Sequence, residues 1–414
     1  MPRILKTNPF RPGKPITDPE LFAGRKEELS LPVDALYQTG TKNASHIIVT
    51  GGRGIGKSSL VNQIDRLAEG DKVLLRELDI DPGNFKFNFH VFKHRATKGQ
   101  STSHIVASLV NQIPVKFGKE NIQEIFGEFL KKWKFNVSVG SVKAEYQPNT
   151  TADLSTDFIR TIRMFWSAVG NELDGLIFVI DEVDTIADGD IASFCKITTE
   201  ALSDAGLEQV AIMLVGITGA MEKLKQDHPS VGRIFRTIEV LPMTDKESTD
   251  IISLALNGTD VRIQQSVTSQ IINLSTGYPS PVHLLGYHVF DEDEDKIIDE
   301  IDFKKGLDKV ITLVKREELS SVYQKAGTGD YRKILQAMAG YEEEIVPLKY
   351  LADYIGRRSD AMSSYMNALI ERGVVERIDR AQYKISDPLL KIYIQKFGIL
   401  QSDLSDENES VTDT

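Results

Sequence analysis

At 414 residues the chain exceeds the usual span of one domain, and two or three are expected. With 41% hydrophobic and 26% charged residues it can bury a substantial core, while a net charge of -11 excludes a global positive field that would draw it to nucleic acid, leaving only a local basic face for such contact. A single cysteine, Cys195, excludes an internal disulfide framework and reads as a small buried apolar residue in a reducing compartment.

No basic start leads into an apolar stretch, so no secretory signal is expected, and no apolar run approaches the ~20 residues of a membrane helix. A cytoplasmic location without a membrane partner follows as the expectation. Residues 1–19 are rich in proline and basic side chains and read as an extended arm, followed by a helix carrying Lys26 to Leu29. His46 to Thr50 is a short apolar run ending at glycine, which predicts a buried parallel strand, and Ser58 to Leu67 a helix. Lys72 to Asp79 is expected as the next strand. From about Pro82 to Asn149 the pattern is least regular: helices are expected at Ser103 to Phe117 and Asn121 to Trp133, then a hairpin from Phe135 to Tyr146 turning at Gly140-Ser141. Ala152 to Val169 reads as a long amphipathic helix, Leu176 to Ile180 as a strand buried on both faces, Phe194 to Ala205 as a helix, and Val210 to Val215 as another buried strand. Strands alternating with helices predict a parallel α/β sheet.

Past Thr244 the pattern turns helical, with Lys246 to Leu256, Val261 to Ser275 and Pro281 to Phe290. The acidic run Asp291 to Asp302 reads as a solvated loop or helix start rather than a metal site. Tyr331 to Ala339, Leu348 to Ile355 and Asp360 to Arg372 predict three short helices, and Val374 to Ile378 with Ala381 to Ile385 two strands joined by a charged turn. Residues 401–414 carry only negative charge and are expected to be disordered. No internal repeat is visible.

Residues 51–58 read GGRGIGKS, a fit to G-x-x-x-x-G-K-[ST] with an apolar strand before it and a helix after it. Gly51, Gly54 and Gly56 let the backbone turn so that the N–H groups of the loop, from Gly51 and Gly52 through Arg53, Gly54, Ile55 and Gly56, point at phosphates. Lys57 supplies positive charge to the β- and γ-phosphates of ATP, the Ser58 hydroxyl is placed to ligate Mg²⁺, and Ser59 continues the helix whose positive dipole end faces the same anion. The run IFVIDE ends a buried strand with two carboxylates at the edge where a parallel sheet meets its ligand. Asp181 is expected to hold Mg²⁺ and Glu182 to orient or deprotonate the attacking water. Asp184 stays outside this assignment.

The segment FAGRKEEL from Phe22 to Leu29, the phosphate loop, the IDEVD strand end and the opening NPFRPG from Asn8 to Gly13 together resemble the AAA+ ATPases. More narrowly they are similar to prokaryotic ATPases related to the origin-recognition initiators. The likeness covers roughly Asn8 to Pro281 well and the remainder loosely. It implies that Phe22, Gly24 and Arg25 pack beside the adenine base, where the residues alone give only a helix start with solvated charges, and that Pro279 lies at the nucleotide. It implies a polar γ-phosphate sensor at Thr218, which on its own could equally be a helix cap. It also implies an arginine finger reaching a neighbouring subunit's ATP, with Arg233 preferred over Arg236, and hence a homo-oligomer; the alternative is a surface salt bridge. The sequence departs from the pattern at Gly277-Tyr278-Pro279-Ser280, where many relatives carry an arginine after the glycine. Ser280 stands near that place and His283 further on, so either slow hydrolysis or an arginine supplied from elsewhere is expected.

The fold class so reached is α/β: a P-loop NTPase parallel sheet with a helical lid and a small winged-helix domain. The expected divisions are a nucleotide-binding core at 1–243 with an insertion at about 82–150, a lid at 244–318, a winged helix at 319–400 and an acidic tail at 401–414. In the C-terminal module the helix from Asp360 with Ser363, Ser364, Tyr365 and Asn367, preceded by Arg357 and Arg358 and followed by Arg377, Arg380 and Lys384, suits DNA, although Glu371, Glu376 and Asp379 dilute the charge and leave an effector protein as the alternative partner. Lys131, Lys132, Trp133, Lys134 and Lys143 around the hairpin suit nucleic acid too, or the hairpin simply covers the core. The reading is a Mg²⁺-dependent ATPase switch that oligomerises and engages DNA; the alternatives are a nucleotide-gated regulatory or defence subunit and a transposition-type regulator.

Overall fold

The computed structural model describes residues 7–116, 135–138, 141–144, 150–169, 172–186, 189–314 and 326–397. The chain divides into two compact units, one of residues 16–51 and 57–241, the other of residues 1–15, 52–56 and 242–414.

The first unit is built on five parallel strands in the spatial order β2-β5-β6-β1-β7, with β1 at His46–Gly51, β2 at Phe89–Arg95, β5 at Gly175–Asp181, β6 at Val210–Gly216 and β7 at Phe235–Val240. Every residue of β1 and β6 is buried, as a central strand covered on both faces requires, whereas the edge strands β2 and β7 mix buried with exposed residues. The registers Arg95↔Asp181, Thr50↔Gly216 and Gly51↔Val240 bring the carboxyl ends of the strands to one edge. Helices α1 (Lys26–Gly40), α2 (Lys57–Ala68), α4 (Thr102–Lys116), α5 (Thr151–Val169) and α6 (Asp190–Asp204) accompany the sheet. The core between them is aromatic, with Phe92 stacked on Phe178 at 5.1 Å between ring centroids and Phe158 set edge-on to Phe178 at 5.0 Å. Cys195 lies in this core, where burial pushes its thiol up to about 12, so it is a packing residue.

Three sequence expectations change here. Lys72 to Asp79 is not a strand: α3 spans Val73–Glu77 with Lys72 at its N-cap, and the preceding Asp71 carboxylate accepts from the Val73 N–H at 3.0 Å. The adjacent Leu74 and Leu75 are both buried while Arg76 and Glu77 are exposed, and one helical turn meets that pattern where a period of two would split the leucines. The place beside β5 goes to β2, whose Phe89, Val91 and Phe92 fill it; its polar His90, Lys93, His94 and Arg95 hid it in the sequence. Strand β7 was likewise unread inside HPSVGRIFRTIEV, and α6 begins four residues before Phe194. The hairpin exists as β3 (Phe135–Ser138) antiparallel to β4 (Ser141–Ala144), with Ser141 paired to Ser138 rather than in the turn. The helix expected at Asn121 to Trp133 and the tail at 401–414 fall outside the described residues.

In the second unit α9 (Asp245–Leu256) starts with a reciprocal cap between Thr244 and Glu247, followed by α10 (Gln265–Ser275), α11 (Pro279–Glu292) and α12 (Glu300–Val314). Val261 to Ser275 is not helical throughout: β8 at Arg262–Ile263 pairs with β9 at Ile297–Ile298 before α10 begins. The N-terminal arm belongs to this unit. Asn8 donates to the Tyr287 carbonyl at 2.7 Å and to Asp291 at 3.0 Å, and Phe10 occupies the space left by Gly286, whose missing Cβ would lie 2.4 Å from its ring. The last segment carries α13 (Asp330–Gly340), α14 (Leu348–Ile355), α15 (Ser359–Glu371), strands β11 (Val375–Asp379) and β12 (Gln382–Ile385), a short β10 (Val346–Pro347) and α16 (Pro388–Phe397). The three strands form an antiparallel sheet in the order β10-β12-β11 around a common apolar cluster with the helices.

Candidate functional site

The phosphate loop leaves β1 and enters α2 through two glycines in left-handed conformations, Gly54 at φ +74 and Gly56 at φ +102. Side chains rarely adopt these angles, so the motif's glycines are a backbone requirement here. Gly54 and Gly56 also pack closely: their absent Cβ atoms would stand 3.2 Å from Ser280 and 3.6 Å from Pro279, and Ser280 donates its N–H to the Gly54 carbonyl at 3.3 Å. Pro279 thus lies against the loop. Arg53 is exposed and Ile55 buried. Lys57 donates from Nζ to the Gly51 carbonyl at 2.8 Å, folding its ammonium back over the loop. Ser58 is exposed at the first turn of α2, and Ser59 accepts from the Ile16 N–H at 3.0 Å, which ties the chain entering this unit to the same helix.

Two strands away, Asp181 ends β5. Burial raises its carboxyl above the ordinary range, opposed by the Glu182 N–H, which Oδ1 accepts at 2.8 Å, and by the charges of Arg95 and Lys57. Glu182 sits at φ +56, a left-handed angle uncommon without glycine, and turns the chain from β5 into the single 3₁₀ turn Val183–Thr185. Its Oε1 accepts from Arg95 Nε at 2.9 Å and also from the second guanidinium nitrogen. Arg95 is the last residue of β2, so the sheet itself sets it beside Glu182; this partner was missed because β2 was missed.

Asp184 accepts from the Ile217 N–H at 3.0 Å and its carbonyl accepts from Lys223 Nζ at 2.9 Å. It therefore fixes the end of β6, and Thr218 follows in the turn before α7 (Ala220–Asp227), half-buried at the same sheet edge. Phe22 and Arg25 are buried, and the Arg25 guanidinium is held by Glu28 at 2.6 Å and by the Leu241 carbonyl. Arg233, on the short α8 (Val231–Ile234), is exposed, and among the described residues nothing pairs with its guanidinium. Arg236 is engaged by Asp34 at 2.6 Å. Burial lowers His283 to about 4, reinforced by Arg11, and its Nδ1 accepts from the Arg11 N–H at 3.4 Å, so it braces the N-terminal arm.

Among the described residues no group of three metal-ligating side chains occurs, and no helix is long and apolar enough to cross a membrane.

Residues 21–212 match the AAA ATPase domain family, a region that carries β1, β2 and β5 of the parallel sheet. The fold is similar to that of the Walker-type ATPase of Pyrococcus abyssi, with a TM-score of 0.56 at 16% identity over 92% of this chain and 99% of that one. It is similar also to the Aeropyrum pernix ORC2 protein, solved as ADPNP and ADP complexes, with a TM-score of 0.54 at 12% identity over 95% and 98% of the two chains. At these identities the likeness is one of fold. No curated protein matches the sequence.

Proposed function

We propose that the chain binds and hydrolyses ATP as a nucleotide-driven switch, with Lys57 and Ser58 at the phosphates, Asp181 at the metal and Glu182 as the base. The observation that carries this is the sheet edge on which a phosphate loop at the end of β1, a carboxylate whose ionisation burial disfavours at the end of β5, and a second carboxylate held by Arg95 of β2 stand together. Lys57 exchanges its carbonyl partner for phosphate oxygen when an anion enters the loop. Glu182 takes the proton of the attacking water once its carboxylate leaves Arg95.

The donor set fits Mg²⁺. A hard cation of octahedral preference takes one or two protein oxygens and completes its shell with phosphate and water, and Ser58 with Asp181 offers that number, while a cage of three acidic groups is absent among the described residues. Mg²⁺ would neutralise charge developing on the transferred phosphoryl group. An ammonium or cation near Asp181 also removes the cost of ionising it in a partly buried place.

Thr218 senses the γ-phosphate from the end of β6. Phe22 and Arg25 shape the base pocket, Arg25 acting through its hold on Glu28 and Leu241. Arg233 reaches the ATP of a neighbouring copy. Its unpaired guanidinium supports it over Arg236, whose charge Asp34 already answers. The C-terminal helices and hairpin act as a winged helix toward DNA.

A second reading, a protein effector at that module, is favoured by the pairing of its basic side chains. Arg357 is held by Asp330 at 2.5 Å, Arg358 by Asp360 at 3.1 Å, and Lys384 is buried. Lys57→Ala tests the core of the proposal: ATP affinity measured by calorimetry drops by about 10- to 100-fold, the scale of losing a charge-assisted contact. Retained tight binding would remove the assignment. DNA affinity of the ATP-loaded chain measured against salt separates the two readings of the C-terminal module; no binding even in ~50 mM salt leaves the effector.

A further inference from the structure

Among the described residues of the second unit, Tyr278, Lys384, Glu344 and Glu376 form a polar cluster that the proposed function gives no task. Tyr278 is 1% exposed and Lys384, on β12, 9%. Lys384 Nζ donates to the Tyr278 hydroxyl at 2.8 Å, and that hydroxyl donates to Glu344 Oε1 at 3.1 Å. The ammonium lies 3.6 Å from Glu344 and 3.8 Å from Glu376. Lysine is almost never buried to this degree without partners, and a charged pair of this kind is weak evidence for stability alone. The apolar cluster of the C-terminal helices and strands is already closed by residues such as Val375, Leu369 and Ile385.

The same tyrosine touches the phosphate loop. A Cβ on Gly52 would stand 3.2 Å from the Tyr278 hydroxyl and 3.3 Å from its ring. Its backbone is fixed just before α11 by Gly277 at φ +79, whose carbonyl accepts from the Met243 N–H at 2.8 Å and whose missing Cβ would lie 2.6 Å from the Met243 carbonyl. The hydroxyl is therefore placed at the loop by a rigid turn and supplied with polarity by a lysine from a hairpin about 100 residues away in sequence, a separation no local packing rule demands.

We infer that Tyr278 and Lys384 are a positioning pair for the phosphate chain, which favours ATP over ADP and ties the β11–β12 hairpin to the nucleotide. The inference rests on the phosphate-loop reading. In the structure the single hydroxyl proton goes to Glu344 and a lone pair accepts from Lys384. An anion arriving beside Gly52 competes with Glu344 for that proton, and Lys384 polarises the O–H toward it. Burial and Glu344 raise the phenol above its ordinary value, so it remains a donor at neutral pH. Each additional phosphoryl charge strengthens the exchange, and Glu344, released, closes on Lys384. The hairpin thereby acquires a contact that depends on the nucleotide.

The test uses the full chain and compares ATP and ADP affinities by displacement of a fluorescent nucleotide. Tyr278→Phe and Lys384→Met each reduce the ratio of ATP to ADP affinity by about 10- to 100-fold, the scale of one charge-assisted hydrogen bond, with ADP affinity nearly unchanged. Lys384→Arg restores most of the ratio. Hydrogen exchange over residues 375–385 is slower with ATP than with ADP in the unaltered chain, and that difference disappears in both variants. Should Lys384→Met fail to fold, Tyr278→Phe, which keeps the ring, decides. An unchanged ratio in folded variants overturns the pair while ATP still binds the unaltered chain; absence of any ATP binding by the unaltered chain overturns instead the reading beneath it.

Discussion

Replacing Arg95 by alanine is expected to speed ATP turnover rather than slow it. The guanidinium donates through two nitrogens to one oxygen of Glu182, with 72% of the arginine side chain and 38% of the glutamate exposed to solvent. Water screens such a pair, which places it in the range of ~0.2–1 kcal/mol measured for exposed ion pairs. At ~1 kcal/mol the closed form outweighs the open by about 5 to 1, and at ~0.2 kcal/mol by about 1.4 to 1. Glu182 is then free for roughly one-sixth to two-fifths of the time, so removing Arg95 raises the saturated rate by about 2- to 6-fold. Phosphate release at saturating ATP and Mg²⁺ measures this directly. The unaltered chain supplies a control, since raising salt from ~0.05 to ~0.5 M weakens an exposed pair and moves its rate toward that of the variant. A rate for Arg95→Ala equal to or below the unaltered rate at every salt concentration would show that Arg95 does not withhold Glu182, and the reasoning would fail.

Glu182→Gln is expected to keep ATP affinity within about twofold while cutting single-turnover hydrolysis by about 10²–10⁴, the usual share of a general base. Asp181→Asn is expected to raise stability at neutral pH: the folded carboxyl titrates above its unfolded value, so ionisation costs the fold at any pH above that raised value. The gain in urea unfolding fades as pH drops below the ordinary carboxylate range, and Mg²⁺-dependent nucleotide binding is lost in exchange. Arg233→Ala should leave ATP affinity of dilute protein unaltered and flatten the rise of specific activity with protein concentration; an unchanged rise rejects the finger. His46 and His283, both lowered to about 4 mainly by burial, bind protons in the unfolded chain first, so stability present above pH ~6.5 is lost as pH falls toward 4, with a slope approaching ~1.4 kcal/mol per pH unit for each. A flat urea midpoint between pH 7 and 4.5 would contradict this.

The legible parts of this sequence were those in which one requirement dominates. β1, β5 and β6 are buried on both faces and show as unbroken apolar runs, and the phosphate loop shows because backbone angles at Gly54 and Gly56 admit almost nothing else. Edge strands carry two requirements at once, so β2 joins buried Phe89, Val91 and Phe92 to polar His90, Lys93, His94 and Arg95 and β7 sits within polar surroundings, and both went unread. Losing β2 hid Arg95, since nothing in the local pattern of FHVFKHR connects it to a carboxylate 87 residues later; the register Arg95↔Asp181 does. Lys72 to Asp79 failed for the opposite reason. Its apolar residues fit a strand, but their adjacency and the hydrogen bond from the Val73 N–H to Asp71 suit one helical turn. Tyr278 and Lys384 meet only in the folded unit, and a lysine in a charged hairpin reads as solvated until burial is known.

The glycines of the phosphate loop answer to two surfaces. Gly52, Gly54 and Gly56 each face a residue at the start of α11, namely Tyr278, Ser280 and Pro279. Drift at either place is therefore constrained by the other: a bulkier residue at position 52 would need a smaller one at 278 whether or not nucleotide still fitted. Substitutions at positions 52 and 278 are expected to be tolerated as a pair and rejected singly, and a deep library randomising residues 52 and 278 together would display that coupling as survivors absent from either single-site library.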